Sequence, residues 1–222
     1  MKKKVLLVGG CVYTFHQLEP VIEPIRAAMA AIGVEVDATG IFHPGGGEEY
    51  TGDYSAISSE NLSGYDGVVL YTTGMEPRGA DIDALLAAVR GGKALIGIHC
   101  AADSFGSSAE FVTAIGGYFR THPAPLEISV EYVDRLHAIT EGLEPFTVRD
   151  ELYLFKDYDP SRVRLLAQTN TYDDDGPVPI AWTREEGRGR IFYLSLGHFP
   201  ETMADPSWRM LFERGAQWSL GE

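Results

Sequence analysis

Apolar positions along the 222-residue chain follow two rhythms. In the first half, short continuous apolar runs alternate with stretches of helical spacing. Lys4–Val8 is such a run, closed by Gly9-Gly10, which suits a strand buried on both faces. Leu18–Ile32 has helical spacing and Gly33 is its stop. Val34–Ala38 and Tyr65–Tyr71 read as the second and third strands. Asp81–Arg90 reads as a short amphipathic helix backed by Gly91-Gly92, Lys93–Ile98 as a fourth strand and Ser107–Ile115 as a further helix. Repeated β-α-β units of this kind predict a parallel sheet with helices on both faces. After residue 125 the rhythm changes. Leu126–Val133 alternates apolar and polar positions, as a half-exposed strand does. Val163–Gln168, Pro179–Thr183 and Arg190–Ser195 add strands, with Gly187-Arg188-Gly189 as a hairpin turn. Trp208–Leu220 closes the chain as a helix. A long loop is expected near residues 43–60, around Gly45-Gly46-Gly47. The predicted fold is thus a three-layer α/β domain spanning residues 1–222, with a mostly parallel sheet and extra strands in the second half.

Composition narrows the function. Apolar residues make up 45% and charged residues 23%, an ordinary globular balance that excludes a disordered chain. The 32 acidic residues outnumber the 18 basic ones, for a net charge of −14. Such a surface lacks the Lys/Arg clusters of a nucleic-acid footprint and is repelled by anionic membranes. Expected substrates are neutral, or held by a few Arg or His. The first apolar run stops after four residues, too short for a signal peptide's core of about 7–15, and no run approaches the roughly 18 residues of a membrane span. A cytoplasmic protein is therefore expected. The two cysteines, Cys11 and Cys100, make neither a disulfide framework nor a zinc site.

In parallel α/β sheets, ligands sit at the carboxyl ends of the strands. Unusual residues gather there: Cys11, Tyr13 and His16 after the first strand, Thr72 and Thr73 after the third, and His99, Cys100 and Asp103 after the fourth. Gly97-Ile98-His99 lies where a buried strand turns, which puts His99 at the apex. A histidine there can serve as acid, base, metal ligand or simple cap. Asp103, four residues on, is placed to orient the imidazole, or else to sit in a helix's first turn. Cys100 is out of the apex frame and is expected to pack as a small apolar residue. His16, His122 and His198 also stand in loop contexts, whereas His43 and His137 read as structural. Their spacings match no compact metal motif, so metal binding rests on convergence in space. Of the Asp150-Glu151 pair, Glu151 is the better pocket residue, because Leu152 and Leu154 are expected to face the core.

Several segments together carry a family resemblance: Gly97-Ile98-His99, Gly116-Gly117-Tyr118-Phe119 through His122-Pro123, and His137-Ala138-Ile139-Thr140-Glu141-Gly142-Leu143. They continue with Asp150-Glu151-Leu152-Tyr153, Pro179-Ile180-Ala181-Trp182, Gly187–Tyr193 and Leu196-Gly197-His198. In order and spacing the chain resembles the trehalose-utilisation (ThuA-like) family, which implies a flavodoxin-like fold akin to class I glutamine amidotransferases. His137-Ala138 departs from the usual His-Pro. His99 stands where an amidotransferase has its cysteine, and His198-Phe199-Pro200-Glu201 only loosely matches that family's late His-Pro-Glu. Glutamine hydrolysis through a thioester is therefore not expected. The resemblance implies a carbohydrate ligand, a sugar or keto-sugar from disaccharide catabolism. Catalytic candidates are His99, His198, Glu151 and Asp103; Tyr13, His16 and His122 are substrate-binding candidates. At least three of His16, His99, His122 and His198 are expected to face one pocket near Glu151. There they would hold a divalent metal ion or exchange protons with the sugar directly, with activity falling below about pH 6 as imidazoles protonate. Tyr13, Tyr71 and Trp182 could stack on sugar faces, although packing is the commoner role for each. A non-catalytic binding module on the same scaffold is the alternative. A flavin carrier is disfavoured, because Gly9–Thr14 lacks a Ser/Thr-rich phosphate cradle. Oligomeric state is left open, a homo-oligomer included.

Overall fold

The computed structural model describes residues 2–11, 15–42, 55–77, 79–172 and 176–222. Tyr13, His43 and Gly45–Gly47 lie outside them. Four strand–helix pairs build one half: β1 (Lys4–Cys11), α1 (Glu19–Ala31), β2 (Glu35–Phe42), α2 (Ser59–Leu62), β3 (Gly67–Thr73), α3 (Gly79–Arg90), β4 (Ala94–Ile98) and α4 (Ala109–Ile115). The other half holds β5 (Tyr118–Thr121), β6 (Leu126–Tyr132), β7 (Phe146–Asp150), β8 (Leu154–Lys156), β9 (Arg164–Thr169), β10 (Val178–Glu186), β11 (Gly189–Leu194), α5 (Pro200–Ala204) and α6 (Pro206–Leu220).

The nine-stranded sheet has the order β2-β1-β3-β4-β11-β10-β9-β6-β7. Its core from β2 to β11 is parallel, and β10, β9, β6 and β7 extend it by antiparallel pairing. All seven residues of β3 and all five of β4 are buried, the mark of strands covered on both faces. One face carries α1 and α6 over Leu7, Tyr71 and Phe192. The other carries α3 and α4 over Leu6, Leu70 and Tyr193. The expected three-layer, parallel-cored architecture is therefore the observed one.

The antiparallel half differs most from expectation. The hairpin turn at Gly187-Arg188 is present, with Gly187 at φ 62 and Glu186 opposite Gly189. However, β5, β7 and β8 had no counterpart in the sequence reading. β5 and β8 form a separate two-stranded sheet. Trp182 is not a sugar platform: it is fully buried, and its indole N–H donates to the Ile115 carbonyl at 2.8 Å. Tyr71 is likewise buried, and its hydroxyl donates to the Gly197 carbonyl at 3.3 Å.

Helix α6 is started by Asp205, whose carboxylate accepts from the Ser207 and Trp208 amides. It lies so close to β11 that a Cβ at Gly215 would stand 2.2–2.5 Å from the buried Phe192 ring. Gly215→Ala therefore tests the packing. Helix propensity alone would make the change stabilising by about 1 kcal/mol. The clash instead predicts a loss of about 1–3 kcal/mol, read as a fall of several degrees in Tm. An unchanged or raised Tm would contradict the close approach.

Candidate functional site

Three strands of the parallel core, β1, β4 and β11, end at the same carboxyl edge, with β3 between the first two, and each hands over a histidine. Cys11, at the end of β1, pairs with Thr73 at the end of β3. Five residues past β1, His16 turns inward with φ 61. His99 follows β4 directly with φ 43. Both are left-handed conformations, which histidine adopts more readily than most non-glycine residues but still at a cost of about 1–3 kcal/mol each. Gly97, two residues before His99, lets the turn close: a Cβ there would stand 2.8 Å from both Ile115 and Tyr193. His198 follows β11 through Gly197, at φ 132. Glu151 arrives from the far hairpin, immediately after β7.

His16, His99, His198 and Glu151 meet, with one ligating atom of each within 4.8 Å of all the others. His16 Nε2 lies 2.8 Å from His198 Nδ1 and 3.2 Å from His99 Nε2. Glu151 Oε2 lies 3.0 Å from His198 Nδ1, 3.4 Å from His99 Nε2 and 3.9 Å from His16 Nε2. His99 is fully buried; His16 and Glu151 are nearly so.

The outward nitrogens fix the inward ones. His99 Nδ1 faces the Ser195 carbonyl at 2.7 Å. A carbonyl only accepts, so the proton sits on Nδ1 and the Nε2 lone pair points into the cluster. His16 Nδ1 is held by the Thr73 hydroxyl at 2.7 Å. Burial holds His16 below the usual imidazole range and pushes His99 down to about 3, so both are neutral at physiological pH. Burial acts to raise the pKa of Glu151, but the ring contacts of His16 and His198 outweigh it and keep the carboxylate ionised. An acid limit set by an ordinary imidazole thus gives way to a lower one for His16 and His99. The result is four nitrogen and oxygen atoms facing one another, with the His99 Nε2 lone pair and the Glu151 carboxylate available as acceptors. A divalent ion fits that donor set. For zinc–nitrogen bonds of about 2.0–2.1 Å, tetrahedral ligands stand about 3.3 Å apart; the five separations given above run from 2.8 to 3.9 Å, and every pair lies within 4.8 Å.

His122, at the end of β5, is not one of the four. It stands exposed beside the cluster, with Nδ1 3.8 Å from the other Glu151 oxygen, Oε1. The same Nδ1 faces the Pro123 carbonyl at 2.8 Å, which places its proton there and leaves Nε2 as a base. Tyr153 packs tilted on His99 with ring centroids 4.0 Å apart and Phe119 tilted on Tyr153 at 4.3 Å, while Phe15 and Phe199 edge onto His16 and His198. This aromatic collar was missed; the aromatic residue singled out there, Tyr13, lies outside the described residues.

Asp103 requires a correction. Residues 99–102 form a 3-10 turn rather than the start of a helix, and α4 begins only at Ala109. The Asp103 backbone instead bridges to Thr73 and accepts from Gly74 N–H. The partner that orients His99 is the Ser195 carbonyl. Asp103 stays outside the cluster, with burial pushing its carboxyl up to about 6. Cys100 is fully buried in the core, as its frame implied. His137 is structural: its Nδ1 accepts from the Ile139 amide.

The profile of the trehalose-utilisation (ThuA) family matches residues 4–219. The chain belongs to that family, and its role is therefore related to carbohydrate. Among solved structures, a ThuA-like protein from Parabacteroides merdae is 20% identical with a TM-score of 0.83, over 100% of this chain and 91% of that one. A ThuA-like protein from Bacteroides uniformis is 22% identical with a TM-score of 0.75, over 98% and 91%. A cytoplasmic protein from Salmonella typhimurium is 13% identical with a TM-score of 0.63, over 99% of both chains. At these identities the likeness carries the ThuA fold alone. A search of curated proteins finds no match. No helix among the described residues is long and apolar enough to cross a membrane.

The buried imidazole of this ThuA protein should be visible in its stability. His99 stays neutral in the folded state down to about pH 3 but protonates below about pH 6.5 once unfolded. Between those values the unfolded chain binds the extra proton, so the stabilisation is complete above pH 6.5 and is lost as pH falls toward 3. Metal-free wild-type protein should lose about 2 kcal/mol relative to His99→Asn between about pH 7 and pH 5. Asn tolerates the left-handed backbone, which makes it the fair comparison. Parallel pH profiles in chemical denaturation would contradict a buried neutral His99.

Proposed function

We propose that this ThuA protein is an enzyme acting on a sugar or keto-sugar in disaccharide utilisation, at a divalent metal centre held by His16, His99, His198 and Glu151. The observation that carries the reading is the convergence of four lone-pair atoms in a space the size of one ion's ligand shell. When bound, the ion would polarise a carbonyl or hydroxyl oxygen of the sugar by expanding to a fifth position beyond its four protein ligands. The chain's own residues supply the rest. Phe15, Phe119 and Phe199 offer apolar surface at the entrance for the C–H faces of a sugar ring. His122 Nε2 points away from its Nδ1 partners and is the acid–base group. Glu151 links the two parts, with Oε2 in the cluster and Oε1 toward His122.

A keto group acidifies the neighbouring C–H, and removal of that proton is common to elimination and isomerisation of an oxidised disaccharide. In this reading His122 takes it, supported by the unprotonated Nε2 of a ring that stands beside Glu151. The carbohydrate class rests on the family, and the chemistry on the cluster. An amidotransferase reading finds no support, because the thiol nearest the elbow, Cys100, is sealed in the core. The working location is the cytoplasm, which the Salmonella neighbour's description also names.

Turnover of a keto-disaccharide separates the roles. His122→Gln should lower kcat by about 10²–10⁴ while the protein keeps its metal. His99→Asn should lose both metal and turnover, and a chelator should reproduce that loss in the wild type until metal is restored. Full turnover by His122→Gln would remove its acid–base role. A wild type that binds the sugar without turning it over would leave a binding module in place of an enzyme.

A further inference from the structure

Glu151 comes from a surprising direction. β7 is the last strand of the sheet, four places beyond β11, yet Glu151 meets His198 from the loop after β11. Something must carry the end of an outer hairpin back over the parallel core. The β6–β7 hairpin is loosely anchored for this: β6 pairs with β9 only at Glu131 and Tyr132.

We infer that Asp150 is the positioning residue that assembles the cluster, by clamping the backbones that carry Glu151 and His198 to a single carboxylate. Its Oδ1 accepts from the Glu151 amide at 2.8 Å and from the His198 amide at 3.1 Å; its Oδ2 accepts from the Gly197 amide at 2.6 Å. The residue is fully buried, and every hydrogen bond recorded for it comes from backbone N–H. A buried carboxylate satisfied this way is costly to place and strong once made, because each bond is charge-assisted. The bonded amides belong to two of the four converging residues and to the glycine whose φ of 132 aims the second. Asp150 therefore acts through geometry and touches neither substrate nor ion. A neutral amide cannot replace it: the Asn side chain offers one acceptor, and its NH₂ would face a backbone N–H. A nearby bond provides a control. Thr202 Oγ1 donates to the Arg149 carbonyl at 3.0 Å, pinning the same hairpin to α5 without touching either clamped segment.

This inference rests on the metal-centre reading, but the experiment tests the two separately. The first measurement uses metal-free protein, in which ¹⁵N-resolved NMR of the histidine rings reports tautomer and hydrogen bonding. Asp150→Asn should shift the His198 and His16 ring signals, because their 2.8 Å contact loosens, whereas Thr202→Val should leave them in place. The second is a titration with Co²⁺, whose visible spectrum reports ligand geometry. Asp150→Asn should weaken Co²⁺ binding by about 10–100-fold with an altered spectrum, and Thr202→Val should not. If Asp150→Asn fails to fold, Asp150→Ser, which keeps one acceptor in a smaller side chain, takes the same measurements. Unchanged ring signals in the Asp150 variant would overturn the inference, as would equal effects from the Thr202 variant. A wild type that takes up no Co²⁺ would defeat the metal reading, and the ring signals would still decide the role of Asp150.

Discussion

Four atoms with lone pairs cannot be crowded together in a protein interior unless something positive lies between them. His16 Nε2, His99 Nε2, His198 Nδ1 and Glu151 Oε2 are so crowded, and two of the imidazoles are held neutral by burial. Unsatisfied, such a set costs several kcal/mol. Around it stand two left-handed histidines, a glycine that admits an elbow, and a buried carboxylate with three amides on it. Each carries a local cost, and each brings an atom to the same point. Strain concentrated in this way marks a site rather than a core.

The arrangement also shows how one scaffold can be put to different work. The turn after β4 is where the amidotransferase-like fold would expose a nucleophile. Here the apex is an imidazole whose outward nitrogen is tied to Ser195 and whose carbonyl accepts from the Tyr193 hydroxyl. The neighbouring thiol points into the core. In the proposed reading, a covalent centre gives way to a set of fixed ligands beside a base, with aromatic rings packed around them. An acidic surface does not oppose this, since a neutral sugar needs no electrostatic steering.

The parallel core was legible because β1, β3 and β4 are nearly continuous apolar runs, which local pattern reports well. The carboxyl-edge rule then placed His16 and His99 on one side of the sheet without knowledge of any distance. β5 and β8 escaped notice because they are three to four residues long and show no alternation, and β7 because its alternation spans only five residues. With them went the approach of Glu151, the aromatic collar and the distinction between His122 and the inner three. Asp103 was misplaced for a definite reason: a 3-10 turn advances differently from the helix assumed after the elbow, so a side chain four residues on no longer faces back. Asp150 was passed over beside Glu151 because its work is done through backbone amides 47 and 48 residues away, a relation that no local pattern encodes.

The most direct test of this account is X-ray absorption at the zinc edge on protein loaded with one equivalent of Zn²⁺. The account predicts a four-coordinate shell of nitrogen and oxygen at about 2.0–2.1 Å, with the outer-shell scattering of three imidazoles and no sulfur. A shell without imidazole scattering, or zinc that washes off without stoichiometric binding, would contradict it.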